Sequence, residues 1–149
     1  MNEEDKHNRQ MTELLNELRI ALPGVQILFG FLLTVPFASG FKTVTSTQRG
    51  LLYATLVATT ASTICLIAPS ATHRLRFGKG DRRYIIISAN RYLIAGLVWL
   101  GVAMVLGITL ITDVLYNGPA VFVLPTLIAL AIAFFWFIRP LKRDESSGP

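Results

Sequence analysis

The chain has 149 residues, of which 52% are hydrophobic and only 15% charged, and it carries a formal net charge of +5. Against water such a composition would leave large apolar patches, whereas in lipid it is ordinary, so a water-soluble globular domain is not the expected class. A disulfide framework is excluded, because the one cysteine, Cys65, has no intrachain partner.

Residues 1–10 are polar and are expected to form a disordered tail. Residues 11–22 read as a short amphipathic helix, with Leu14, Leu15, Leu18, Ala21 and Leu22 at helical spacing and Glu13, Asn16 and Glu17 on the other side. This helix would lie at the membrane interface until the chain turns inward at Pro23-Gly24, since an interior proline removes a backbone bond and clashes with the preceding turn. Acidic Glu3, Glu4, Asp5, Glu13 and Glu17 are mixed here with Lys6, Arg9 and Arg19. A cleavable signal peptide opens instead on a short basic region, so the first span is expected to be an uncleaved anchor.

Four apolar stretches without a charged residue follow, at 20–41, 50–71, 92–112 and 119–138. A hydrocarbon core of about 30 Å needs ~20 helical residues, so each stretch is long enough to cross it. Pro36 in the first and Pro125 in the fourth free the carbonyls of Leu32 and Val121, which predicts a pair of bent helices, with Thr34 placed to compensate the first. The second stretch repeats small residues at every fourth position, Gly50, Ala54, Ala58 and Ser62, with Ala61 and Cys65 alongside and Thr55, Thr59 and Thr63 at the edge. The segment 72–91 then carries six cations, Arg74, Arg76, Lys79, Arg82, Arg83 and Arg91, against Asp81. Its last part, 81–91, reads as a half-embedded extension of the third helix. That helix has its own seam of small residues, Ala89, Gly96 and Ala103, with Gly107 beside it. Asn117-Gly118-Pro119 predicts a tight turn that makes spans three and four an antiparallel hairpin. Aromatic residues gather near the span ends, among them Phe37, Tyr53, Tyr92, Tyr116 and Trp136, as in an interfacial belt.

Lipid gives no hydrophobic reward for helix contact, so close approach of backbones across small residues has to drive association. Two seams of small residues need two partners. Either both are used inside one bundle, or one of them joins subunits, and the expectation is a homo-oligomer.

Twelve of the 14 Lys and Arg residues lie in the N-terminal tail, the segment 72–91 and the C-terminal tail; only Lys42 and Arg49 lie in the other connections. Cation-rich loops stay cytoplasmic, which puts both termini inside the cell membrane. Arg74, Arg76, Lys79, Arg82, Arg83 and Arg91 would contact anionic lipid headgroups, each contributing about 1 kcal/mol. An acidic soluble or membrane partner is the other occupant considered for that segment. Nucleic acid is not expected, since interleaved basic and aromatic residues are absent.

Few residues are suited to chemistry. No ionisable side chain falls at mid-depth, which counts against proton-coupled transport by a single bundle. Gln26 is the polar residue deepest in the first span and is expected to hydrogen-bond between helices. Asp113 ends the third span, where the helix dipole is unfavourable by about 0.3–1 kcal/mol, and Arg49 is its expected ion-pair partner. His7, His73 and Cys65 give no ligand set of metal spacing, and Gly78-Lys79-Gly80 lacks the frame of a phosphate-binding loop. No catalytic, cofactor or metal site is expected, and the chain does not read as an enzyme.

Several motifs resemble a known family. They are Glu13-Leu-Leu-Asn-Glu-Leu-Arg19, Ala21-Leu-Pro-Gly-Val-Gln26, Leu33-Thr-Val-Pro-Phe37, Gln48-Arg49-Gly50, Ala68-Pro-Ser-Ala71 with His73-Arg74, Ala89-Asn90-Arg91 and Thr112-Asp113. Together they look like a family of small bacterial four-span membrane proteins of unknown function, over nearly the whole chain from residue 13 onward. Some members are labelled sodium:proton antiporters, and under that label the resemblance implies Glu13, Glu17 and Asp113 as the relevant carboxylates, at opposite membrane faces.

The resulting expectation is an all-α integral membrane protein, an antiparallel bundle of four transmembrane helices with an amphipathic interfacial helix at the N-terminus and both termini cytoplasmic. Its function is that of a non-enzymatic, self-associating membrane component. The alternative is a small cation or proton transporter or channel, with Thr55, Thr59 and Thr63 of several subunits lining a pore, and with Glu17, Gln26, Arg49 and Asp113 as candidate polar residues.

Overall fold

The computed structural model of the chain describes residues 3–75, 82–116 and 118–139. These form α1 (Glu3–Thr34), two short 3-10 turns (Val35–Phe37 and Ser39–Thr43), α2 (Ser46–Leu75), α3 (Arg82–Leu115) and α4 (Ala120–Ile132), which continues into a π-helical turn, Ala133–Ile138. Four stretches are long and apolar enough to cross a membrane: Asn16–Phe37, Ser46–Thr72, Ile87–Leu115 and Ala120–Ile138, of 22, 27, 29 and 19 residues.

Two prolines act differently from expectation. The chain does not turn at Pro23-Gly24: α1 runs through it as one helix of 32 residues that already begins at Glu3, so residues 3–10 are helical too. An interior proline costs about 3 kcal/mol. Packing on both sides of it offsets that loss, because Leu18 and Val25, which flank the proline, cluster with Leu66 and Leu93, and Ala21 and Leu22 pack against that cluster. One apolar face therefore spans the proline, while Pro23 and Gly24 are exposed on the other side. Pro36 does not bend a longer helix. α1 stops at Thr34, and Pro36, which has no N–H to return to the Leu32 carbonyl, enters a 3-10 turn. Thr34 Oγ1 donates to Phe31 O at 2.7 Å, one carbonyl earlier than expected.

The core of the molecule is the α2–α3 pair, which makes the most extensive contact between elements. The buried positions of α2 are Leu52, Thr55, Ala58, Thr59, Ser62, Leu66 and Pro69, and all but Ala58 follow one another at alternating spacings of three and four. On α3 they include Ala89, Leu93, Gly96, Ala103 and Leu110, which follow the same alternation. That period of 3.5 is what lets two helices keep one face toward each other over many turns. Gln48 meets Asp113, Thr55 approaches Gly107 and Ser62 meets Gly96, so the two helices run antiparallel. α1 packs against this pair through two clusters, Leu18 and Val25 with Leu66 and Leu93, and Leu32 with Leu52 and Leu110. It thus runs parallel to α3.

The expected four-helix bundle is not closed. α4 contacts α3 and no other main helix among the described residues. Pro125 is the one buried residue of α4, and Ile132 reaches Gly101 of α3, where an added Cβ would lie 3.2 Å from its Cγ2. The connection is short for the expected reason. Gly118 has φ +101°, a conformation that side chains disfavour, and it turns the chain from α3 back into α4. Asn117 lies outside the described residues.

Candidate functional site

The best-organised polar group of the molecule lies where α2 begins and α3 ends. Thr45 precedes α2 and Gln48 follows three residues on, which is the spacing of a reciprocal helix cap. The Thr45 amide donates to Gln48 Oε1 at 2.9 Å, and the Gln48 amide donates to Thr45 Oγ1 at 3.2 Å. With its oxygen committed to the cap, the Gln48 side chain directs Nε2 across to α3. It donates to Asp113 Oδ2 at 2.9 Å and lies 3.5 Å from the Asp113 carbonyl.

This replaces the expected ion pair. Among the described residues Asp113 makes no salt bridge with Arg49, which is exposed. The reason is angular: Arg49 follows Gln48 by one residue, and about 100° of rotation per residue turns it off the face that meets α3. The dipole penalty foreseen for Asp113 is also offset. Antiparallel packing sets the C-terminus of α3 beside the N-terminus of α2, whose positive dipole end faces the carboxylate.

A second polar contact lies midway along the seam. Ser62, fully buried, donates through Oγ to the Gly96 carbonyl at 2.8 Å. A Cβ placed on Gly96 would lie 2.6 Å from Leu66 Cδ2 and 3.4 Å from the Leu66 amide nitrogen, so the glycine is what lets the helices come together here. The neighbouring threonines stay within their own helix. Thr55, Thr59 and Thr63 donate to Leu51, Thr55 and Thr59 carbonyls at 2.7–2.9 Å. Thr55 and Thr59 are fully buried inside one chain, so the expectation that they line a pore between copies is corrected.

The remaining expected site residues divide sharply. Ser62 and Gly96 meet in the α2–α3 seam, where Gly107 adjoins Thr55, and Ala58 and Ala103 are buried as well. Gly50 and Ala54 are exposed in the single chain, so the expected stripe is buried within it only at Ala58 and Ser62. A repeat of four advances about 40° beyond a full turn each time, so a stripe that is buried at Ser62 has rotated outward at Gly50. Gln26 is exposed and forms no interhelical hydrogen bond within the single chain among the described residues. Glu13 pairs with Arg9 at 3.0 Å on the surface of α1, and Glu17 is exposed. These carboxylates and Asp113 are not brought together: Leu18 packs level with Leu66, and 18 residues of α2 at 1.5 Å each put about 27 Å between that level and Gln48. Arg74 and Arg91 are exposed, Arg82 and Arg83 open α3, and Arg76 and Lys79 lie outside the described residues. No three of His, Cys, Asp and Glu come together among the described residues.

The cap that organises this site escaped the reading of the sequence, although Thr45-Ser46-Thr47-Gln48 carries its signature in plain form. Comparison with curated proteins and with solved structures finds no match. A family model described as a family of unknown function, DUF6328, matches residues 2–140, nearly the whole chain, and the protein belongs to that family.

Proposed function

We propose that the protein is a multi-pass component of the cell membrane, without enzymatic activity, that associates with copies of itself and keeps both termini in the cytoplasm. The observation that carries this reading is the large apolar surface left outside the three-helix core. Phe31, Tyr53 and Phe122 are each 70% exposed or more, on helices of membrane-spanning length. Lipid is the solvent in which such side chains are stable at an outer surface. The orientation is supported by the exposed Arg74 and Arg91 at the end of the molecule that also carries Arg9, where anionic headgroups would meet them.

Orientation is tested with single cysteines in a Cys65→Ala chain. An impermeant maleimide applied to intact cells should label Ser46→Cys and spare Ala71→Cys; the reverse pattern would invert the topology. A second reading, a small cation or proton transporter, has one observation in its favour, the half-buried Asp113 carboxylate held at a helix end. Sodium or proton flux in proteoliposomes above that of empty vesicles, abolished by Asp113→Asn, would establish it over the first.

A further inference from the structure

α1 carries a second stripe, on the side turned away from the core. Asn16, Arg19, Pro23, Gln26, Gly30 and Thr34 recur at intervals of three and four, and all are exposed. This is the period of the α2–α3 seam, so the stripe has the spacing of a helix-packing face. Among the described residues nothing packs on Gly30, where an added Cβ would meet no atom within 4 Å.

Gln26 shows what the stripe lacks. It falls at the midpoint of the apolar stretch Asn16–Phe37, next to Val25, which is buried against Leu66 and Leu93. Among the described residues its amide has no hydrogen-bond partner. At a watery surface solvent would satisfy it, but hydrocarbon has nothing to offer a buried amide. A primary amide holds both donors and an acceptor, so two copies of Gln26 facing each other across a two-fold axis satisfy one another reciprocally. Gly30, one turn further on, lets the two backbones approach closely enough for that exchange. Arg19 lies about 10 Å along the helix from Gln26, at the end of the stretch, where its long side chain reaches headgroup oxygens and not its twin.

We propose that α1 pairs with α1 of a second copy of this chain through Gln26 and Gly30, as a two-fold dimer in the bilayer. This rests on the membrane-resident, self-associating reading above and names the face that association uses.

The test takes the full chain in phosphatidylcholine–phosphatidylglycerol vesicles. In a Cys65→Ala background, Gly30→Cys forms a disulfide-linked dimer on mild oxidation, whereas Ile64→Cys, exposed on α2, does not. By energy transfer between labelled copies, Gln26→Leu weakens dimerisation about ten-fold and Gln26→Asn weakens it less. At protein-to-lipid ratios low enough to keep the chain monomeric, the thermal unfolding of Gln26→Leu is unchanged, because Gln26 is exposed and makes no hydrogen bond in its own chain among the described residues. A dimer of undiminished strength in Gln26→Leu, cross-linked at Ile64→Cys instead, overturns the α1 face and leaves self-association standing. A monomer at every protein-to-lipid ratio overturns both, and assigns the stripe to lipid or to a different membrane protein.

Discussion

Asp113 shows how little of a polar site is decided by charge alone. Its partner is the neutral Gln48 amide, fixed in direction by the Thr45 cap, and not the nearby Arg49 cation. Asp113→Leu should therefore destabilise the fold by about 1 kcal/mol, the net worth of an ordinary hydrogen bond, in reversible thermal or denaturant unfolding in detergent. Exchanging the charges, Asp113→Arg with Arg49→Asp, should restore none of that loss. Among the described glycines Gly96 is the most constrained by contact. Gly96→Ala should cost about 1–3 kcal/mol, because the added Cβ would lie 2.6 Å from Cδ2 and 2.7 Å from Cγ of the fully buried Leu66. Combining it with Leu66→Ala should cost less than the sum of the two single changes, since the substitutions share one gap.

At the scale of the helix, the lesson lies in α2. The alternation of Leu52, Thr55, Thr59, Ser62, Leu66 and Pro69 is present in the sequence, but the eye is drawn to the four-residue repeat of small side chains. Both patterns are real, and only the partner chooses between them. A straight helix can present either face, and α3 with its own 3.5-residue seam selects the one that stays in register. Substitution distinguishes the two: Ala54→Leu should change stability by no more than about 0.5 kcal/mol, as surface positions do, while Ala58→Leu should cost about 1–3 kcal/mol by overpacking. Unfolding of both variants in the same detergent makes the comparison. The α3 seam was legible because its small residues already lie seven apart, a spacing that rotates by only about 20° per repeat and so stays on one face. For α1 the apolar face running past Pro23 was equally visible in the sequence. The proline's cost is local and can be read from the sequence, while the packing that outweighs it depends on helices far along the chain.

The whole molecule is a three-helix core with a fourth helix laid along one side. Among the described residues α4 meets no main helix but α3, so the α2–α3 register should survive its removal. In a Cys65→Ala chain, Thr55→Cys with Gly107→Cys should form a disulfide within one copy, because Thr55 Cγ2 lies 3.7 Å from where a Gly107 Cβ would sit. The same bond should form in a chain ending at Tyr116. Loss of the cross-link on truncation would mean that α4 organises the core.

By itself the sequence determined the number of apolar helices, their approximate limits, the hairpin at Gly118 and the seam of α3, because length, hydropathy and turn chemistry are local properties. Tertiary structure alone decided which face of α2 is buried, that Asp113 answers to Gln48, that Gln26 is left facing outward, and that α4 stands beside the core and not within it. Each of these depends on which helix lies next to which, and in an apolar chain many neighbours satisfy the same hydropathy pattern, so only the fit of small residues and the reach of a few polar groups select among them.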